Sequence, residues 1–495
     1  MQPYILGIDI GTGSTKAVAV SLKGEPIAES QFYYPISNPE PGYSEQEPNQ
    51  ILDAFKQCIS SIQTHIGESP LAISLSCAMH SILPVDTKGN ALAAIMTWAD
   101  SRSEVIAERL RFSDDGEMLY RSNGTAIHAM SPLCKIIWMK ENKTSLFKAT
   151  FKFISIKEFI WHYLFSDFEV DYSVASATGL FDILSLKWDT KACELAGIST
   201  NQLSKPVNTT YLRFGLNEKA QQVLKLPPET KFIIGASDGC CANLGSNTIK
   251  PGVAAITIGT SGAVRITGRQ PVYNFDSMTF NYLLNEHTFV SGGAVNNGGI
   301  VFKWLVNTFL TEKFENEQDA YSKVFEDINT VNAGSNGLIF LPYLYGERAP
   351  IWDTKNCGVF FNIKPNHTQA HFLRAGLEGI CFALLHVLET IETSSAPINQ
   401  LNISGGFINS PTWVQILADI TGKKLSIVQT EDASAIGAIY LAMEALDIEK
   451  PQNEYQKFIE PNLNLHQSYI HSFKIFKLLY TNLKDTMHLV NNQLK

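Results

Sequence analysis

A basic excess is missing from this sequence: 39 lysines and arginines stand against 48 aspartates and glutamates, giving a formal net charge of −9 and an isoelectric point near 5.7. General attraction to nucleic acid or to anionic lipid is therefore excluded, and any phosphate must be held by local groups. Long apolar runs are missing too. No stretch reaches the ~20 residues of a membrane span, and Asp9 interrupts the opening MQPYILGIDIG before it resembles a signal peptide. The eight cysteines form no CxxC pair and have no histidine at zinc-ligand spacing, so they are expected to be reduced, mostly buried thiols of a cytoplasmic protein. No GxxxxGK[ST] occurs, which excludes a single Walker loop wrapped around a triphosphate. Low-complexity linkers are absent as well.

What is present is core-forming material. Hydrophobic residues make up 45% and charged residues 18%, ordinary for a globular protein. A length of 495 residues exceeds one core at roughly 150 residues per domain. The start alternates as strands do, through ILGID, TKAVAVSL and EPIAES around a small polar loop. Ile51, Leu52, Phe55, Ile59, Ile62 and Ile66 then share one helical face, and Leu71–Cys77 reads as a buried strand, so the fold class is α/β. Half a chain later, Ile258-Gly259-Thr260-Ser261-Gly262 echoes Ile10-Gly11-Thr12-Gly13-Ser14. A duplicated domain accounts for the echo; chance recurrence of a Gly/Thr turn is the alternative. Helices are expected at Gln369–Thr393, Thr412–Thr421 and Ser434–Leu446, the last rich in small residues suited to close packing, with a terminal helix from about His471. The boundary falls near Gly245, giving domains 1–246 and 247–495 joined by a connector short enough to act as a hinge.

Two segments carry candidate chemistry. DIGTGSTK, Asp9 to Lys16, brings together glycines that let backbone N–H groups approach phosphate, hydroxyls on Thr12 and Ser14, the Lys16 ammonium, and an aspartate able to hold magnesium through water. An ordinary turn with a surface lysine is the plain alternative. GASDGCCANLG places Asp238 between the apolar strand KFIIGAS and a small-residue helix, where it can accept a hydroxyl proton or merely cap the helix.

MSPLCKIIW, with Pro132, Lys135 and Trp138, resembles the first signature of the FGGY family of carbohydrate kinases. Gly358 to Glu378 resembles the second, with Phe360, Ile363, His371, Phe372, Ala375, Leu377 and Glu378 in place and a departure at Asn362, where the family usually has glycine. Met79-His80, Trp98–Arg102, FLPYLYGERAP (340–350) and SGGFINSP (404–411) extend the likeness over about residues 4 to 447. Within the family, AMHSILPVD, TWADSR, DYSVASATGLFD and IGASDGCCANLG are most similar to the gluconate kinases, more than to xylulose or glycerol kinases.

The resemblance implies two related domains of the actin-like ATPase (ribonuclease H-like) fold with the active site in the cleft between them. It implies ATP as phosphoryl donor, Mg2+ as cofactor, and D-gluconate, phosphorylated at its 6-hydroxyl, as acceptor. Another open-chain sugar such as xylulose, a related sugar acid or polyol, or a non-catalytic sugar-sensing role are the other readings. Partners are the sugar acid and ATP, neither nucleic acid nor membrane, with a homodimer left open. By the same resemblance Asp238 is the catalytic base, and Met79, His80, Asp100 and Arg102 join it around the substrate. Gly11, Thr12, Gly13, Ser14 and Lys16 face the nucleotide, as do Gly259, Thr260, Gly299, Gly405, Gly406 and Asn409. Asp9 and Asp238 serve the metal. Arg102 is the first candidate to grip the substrate's carboxylate, through two parallel hydrogen bonds, and His80 is the second; pairing of Arg102 with Asp100 is the structural alternative. His80 also reads as a packing histidine. Trp98 and Trp138 read as core aromatics, Lys135 and Lys157 as packed or ion-paired lysines, and Cys240-Cys241 as small apolar packing.

Overall fold

The structure, a computed structural model, describes residues 3–310, 316–428, 432–451 and 457–493. Its first sheet is built from β1 (Tyr4–Ile10), β2 (Ser14–Ser21), β3 (Pro26–Tyr33), β4 (Ala72–Cys77), β5 (Leu212–Arg213) and β6 (Lys231–Ser237), in the order β5-β6-β4-β1-β2-β3. Its second holds β7 (Val253–Ile258), β8 (Gly262–Gly268), β9 (Phe280–Asn285), β10 (Thr288–Val295), β11 (Gln400–Ser404), β12 (Lys424–Ile427) and β13 (Lys457–Ile459), in the order β9-β10-β8-β7-β11-β12-β13. Superposing the orders puts β3-β2-β1-β4-β6-β5 on β10-β8-β7-β11-β12-β13. Directions agree as well: β1 pairs antiparallel with β2 and parallel with β4, and β7 pairs antiparallel with β8 and parallel with β11. The half-chain echo is thus the turn of the same hairpin in two copies of one sheet. This duplicated architecture is the actin-like fold that the sequence resemblance implied.

Helix α1 (Pro48–Ile66) begins with proline at its first turn, where a missing N–H is harmless, and covers one face of the first sheet with Ile51, Phe55, Ile59 and Ile62. The second sheet is covered by α6 (Gln369–Glu392), the one described helix apolar and long enough to cross a membrane, although 78% of its most apolar window is buried inside the protein. Helix α7 (Pro411–Thr421) packs on α6, and the terminal α9 (Leu463–Gln493) packs on both. That last helix starts eight residues before the expected His471. Asn462 caps it, its Oδ1 accepting from the backbone N–H of Asn464 at 3.1 Å, and His466 binds the Asp419 carbonyl at 3.0 Å.

Helix α8 (Ala433–Ala445) belongs by sequence to the second half but packs on β1 and β4 of the first sheet, side by side with α4 (Asp238–Gly245). The small residues foreseen there make the contact possible: a Cβ on Gly437 would lie 1.9 Å from the Cys241 carbonyl oxygen, and one on Gly245 would lie 2.1 Å from that of Ala433. Around this pair, Ile5, Val18 and Ile233 of the first sheet share one apolar cluster with Tyr282 and Val290 of the second. Asp238, at the start of α4, therefore stands on the seam between the sheets. Asn362, the departure from the second signature, has φ 67° and its Nδ2 donates to the Gly337 carbonyl at 2.9 Å. Asparagine tolerates the left-handed region and here ties the turn down, so the turn survives the loss of glycine.

Candidate active site

Two cavities meet at the seam. The first, about 290 Å³, is lined by Met79, His80, Trp98, Asp238, Arg265 and Arg348 among others. The second, about 230 Å³, is lined by Asp9, Lys16, Arg265, Ser404, Gly405 and Asp432 among others. Arg265 and Thr257 border both, so a group carried in one cavity can reach a group held in the other.

Asp238 is the first residue of α4, and its own carboxylate is not the cap: the Ser237 hydroxyl accepts from the Cys240 N–H at 3.4 Å, leaving Asp238 turned to the cavity with one bond from the Gly239 N–H at 2.7 Å. Burial raises its pKa and Arg265 opposes that rise. Lys157 on α3 (Ile156–Phe165) steadies the strand end behind it, donating to Asp171 at 2.7 Å and to the Ala236 carbonyl at 3.1 Å. That is the ion-paired role expected of it.

Asp9 accepts from the Ser76 hydroxyl at 2.7 Å. Burial, then the charges of Asp238 and Asp432, push its pKa from 3.8 to about 6. A carboxylate raised by two neighbouring negative charges suits a cation beside it. Among the described residues, however, no three His, Cys, Asp or Glu side chains form a metal cluster by themselves. A Mg2+ here would need ligands beyond these side chains, such as water. Lys16 reaches Asp432 at 2.7 Å and Glu29 at 2.9 Å, so its ammonium is engaged on the edge of the second cavity.

In the first loop Thr12 Oγ1 accepts from Trp98 Nε1 at 2.9 Å, and Ser14 Oγ accepts from Gln31 at 2.8 Å. Gly11 and Gly13 form the turn between β1 and β2, and Gly259 and Thr260 the turn between β7 and β8. Gly299 opens α5 (Gly299–Phe309), its N–H bound to the Gly259 carbonyl at 2.8 Å. Gly405 has φ 104° at the end of β11, and Gly406 and Asn409 stand exposed in the 3-10 turn that follows. Of these loop residues Gly405 borders the second cavity and Gly259 the first, while Thr12 meets the first through Trp98.

His80 is 7% exposed and sits at φ 67°, a conformation a non-glycine side chain holds only when its surroundings impose it. Its Nδ1 donates to the Ala177 carbonyl at 2.8 Å and its Nε2 accepts from the Tyr282 hydroxyl at 3.1 Å. Burial, helped by Lys135, pulls its pKa to about 3, so the ring is neutral at pH 7. Lys135, on α2 (Pro132–Asn142), donates to the carbonyls of His80 and Thr97 at 2.8 and 2.6 Å. It holds the pocket's wall, consistent with a lysine that takes no catalytic part.

Three expectations are corrected. Arg102 does not line either cavity: its guanidinium meets Asp100 at 2.6 Å and Glu45 at 2.6 Å and lies 3.4 Å from the centroid of the Tyr43 ring, while Asp100 is also held by the Ser44 N–H at 2.8 Å. Arg102 and Asp100 satisfy each other, and neither has a free face to offer a substrate. His80, the second candidate for the carboxylate, is uncharged with both nitrogens engaged. Trp98 is no core aromatic; it is 36% exposed, lines the first cavity and carries Arg348 over its ring at 5.4 Å. Trp138 is partly buried against the core beside Tyr43. Cys240 and Cys241 are buried free thiols.

Arg265, Arg348 and Asp432 were not singled out from the sequence. Arg265 did leave a signal, a charged residue breaking an otherwise apolar strand between Val264 and Ile266, on the same face as Ala263.

Residues 4–245 match the FGGY family of carbohydrate kinases, N-terminal domain, and residues 254–446 match its C-terminal domain. The chain is similar to a gluconokinase of Bacillus licheniformis, 39% identical over 451 residues covering 90% of this chain and 88% of that protein. A xylulose kinase of Bacillus subtilis is 27% identical, covering 97% of each. Among solved structures, the gluconate kinase of Lactobacillus acidophilus superposes with a TM-score of 0.93 at 31% identity, covering 98% of both chains. A ligand-bound xylulose kinase of the same organism gives 0.92 at 31%, covering 97% of this chain and 98% of the other.

Proposed function

This chain belongs to the FGGY family of carbohydrate kinases, and from that membership we infer that it transfers the γ-phosphoryl group of ATP to the 6-hydroxyl of D-gluconate, giving 6-phospho-D-gluconate. The observation that carries the choice of substrate is the likeness to curated gluconokinases, 39% and 38%, against 27% for a xylulose kinase over nearly the whole chain. Xylulose is the second reading, favoured by the equal 31% identity of the two Lactobacillus structures.

In this reading the sugar acid occupies the first cavity and the nucleotide the second. Asp238, at their junction, accepts the proton of the 6-hydroxyl as its oxygen attacks the γ-phosphorus and ADP leaves. Thr12, Ser14, Lys16 and Thr260 face the phosphates, with Gly11, Gly13 and Gly259 allowing close backbone approach, and Gly299, Gly405, Gly406 and Asn409 border the nucleotide. Asp9, with Asp238, would hold Mg2+; when bound, that ion neutralises charge on the phosphates. Met79, His80 and Trp98 shape the acceptor pocket. We divide the chain at residues 246 and 247, where the strands of one sheet give way to those of the other. A cytoplasmic location is in keeping with eight free thiols, and a homodimer is compatible with the fold.

A coupled ADP-release screen over gluconate, xylulose, ribulose and glycerol tests the assignment. Gluconate should give the highest kcat/KM; preference for xylulose would refute it, and ADP release independent of any sugar would point to an ATPase that phosphorylates no sugar.

A further inference from the structure

A gluconate kinase must recognise a carboxylate, and the residues that the sequence proposed for it are spent: Arg102 on Asp100 and Glu45, His80 on Ala177 and Tyr282. The cations that do line the acceptor cavity are Arg265 and Arg348. They differ in one respect. Arg348 is anchored, its Nε donating to Asn296 Oδ1 at 2.7 Å and its Nη2 to the Val295 carbonyl at 3.2 Å, over the Trp98 ring. Arg265 comes from the middle of β8, and among the described residues no hydrogen bond or ion pair reaches its guanidinium. Its Nε and Nη2 lie 3.5 and 3.9 Å from where a Cβ on Gly239 would stand, so the missing side chain of Gly239 makes room for it beside Asp238.

We propose that Arg265 is the specificity-determining residue for the acidic acceptor, taking the substrate's carboxylate between its own guanidinium and that of Arg348. The proposal rests on the gluconate reading above. Charge supports it. Both guanidiniums on the cavity wall are buried, Arg265 feeling the charge of Asp238 and Arg348 that of Glu347, and His80 is neutral, so an anion that enters meets two cations on the wall. Burial lowers the pKa of Arg348, Glu347 opposes that fall and Arg265 adds to it, and an anion between the two guanidiniums is attracted by both. Glu347 acts on Arg348 from outside the cavity lining, its carboxylate accepting from Asn297 at 3.0 Å, with burial raising its pKa to about 7. A neutral sugar of the same length would leave the Arg265 guanidinium without an anionic partner from the substrate.

The test compares D-gluconate with D-gluconamide, the same chain with its charge removed, as acceptors for the wild-type protein, Arg265→Gln and Arg265→Lys. Wild type should favour gluconate in kcat/KM by about 10²-fold, the scale of truncating one side of a desolvated charge pair. Arg265→Gln should lose about that factor on gluconate, mostly in KM, and only a few-fold on the amide; Arg265→Lys should recover part of the preference. An unchanged preference in Arg265→Gln overturns the proposal. So does an equal fall in kcat on both acceptors, which would assign Arg265 to the phosphoryl group instead. Melting curves and MgATP binding establish that each variant is folded; should neither fold, a wild type that fails to discriminate gluconate from its amide overturns the proposal by itself. Wild-type protein that prefers xylulose fails at the earlier step, the substrate reading, and is told apart by that result.

Discussion

Replacing Asp9 with asparagine should make the protein more stable while removing its activity. In the fold, burial and the charges of Asp238 and Asp432 hold the Asp9 carboxyl at about 6 instead of 3.8. At about 1.4 kcal/mol per pH unit, that gap makes the ionised group about 3 kcal/mol less favourable in the native state than in the unfolded chain at neutral pH. Asp9 faces a cavity that admits water, so about 1–2 kcal/mol is the expected gain, and asparagine can still accept the Ser76 hydroxyl. At roughly 2–4 °C per kcal/mol for a domain of about 240 residues, Tm at pH 7.5 should rise by about 2–8 °C. The sign with pH follows from the raised native value. Both states are protonated below 3.8 and both ionised above about 6, so the advantage of Asp9→Asn should be full above pH 6 and shrink as pH falls toward 4. Differential scanning fluorimetry between pH 5 and 8, without nucleotide or Mg2+, reads this directly. A variant that melts at or below wild type at pH 7.5, or a difference that ignores pH, would refute the reasoning. Normal use of MgATP by the same variant would show the first loop to be structural.

Asp238→Asn should lower kcat by about 10²-fold or more while leaving gluconate binding near normal, since the shape stays and the proton acceptor goes; steady-state kinetics with isothermal titration would expose a variant that retains turnover. Arg102→Lys should lower Tm, because it breaks the bonds to Asp100 and Glu45 and the stacking on Tyr43, yet leave the ratio of kcat/KM for gluconate over xylulose unchanged; a shifted ratio would return Arg102 to the substrate. Gly437→Ala should destabilise by about 1–3 kcal/mol in urea titration, because the new methyl meets the Cys241 carbonyl; an unchanged midpoint would mean that α4 and α8 can separate freely. Gluconate with MgADP should compact the protein in small-angle scattering, since the loops of Thr12 and Thr260 come from separate sheets to one nucleotide; identical profiles would argue against closure.

The sheets were legible because their signals are local: alternation along β1 and β2, a Gly/Thr turn, and the same turn again at Gly259. The start of α9 was not, because Asn462 and the His466–Asp419 contact set it, and apolar periodicity between Leu463 and His471 is weak. Small residues in α8 announced a close neighbour but could not say that the neighbour lay on the other sheet. The seam between the sheets was legible through Asp9 and Asp238, each tied to a strand end. Arg102 misled because pairing with Asp100 was only one of two readings, and Glu45 and the Tyr43 ring, far off in sequence, show only in the fold that its charge is used. Trp98 misled because indole burial is the usual outcome, and only the fold shows its ring facing a cavity. Arg265 was hidden by its motif, whose glycines and threonine drew attention away from the strand that follows.

Helix α8 bears on how the chain folds as it is made. The face of β1 and β4 that it covers is complete only when residues 433–445 have left the ribosome, long after the first sheet's own strands have been synthesised. Until then Ile5, Val18 and Ala72 lack the partners Ala435, Ile439 and Met443 with which they share a cluster. A nascent chain that has finished the first half therefore carries an uncovered apolar surface, a state prone to association with other chains. Release of a fragment ending near residue 246 would leave that surface permanently open. Pulse proteolysis of arrested nascent chains should find the first sheet protease-sensitive until α8 emerges, and protected soon afterwards.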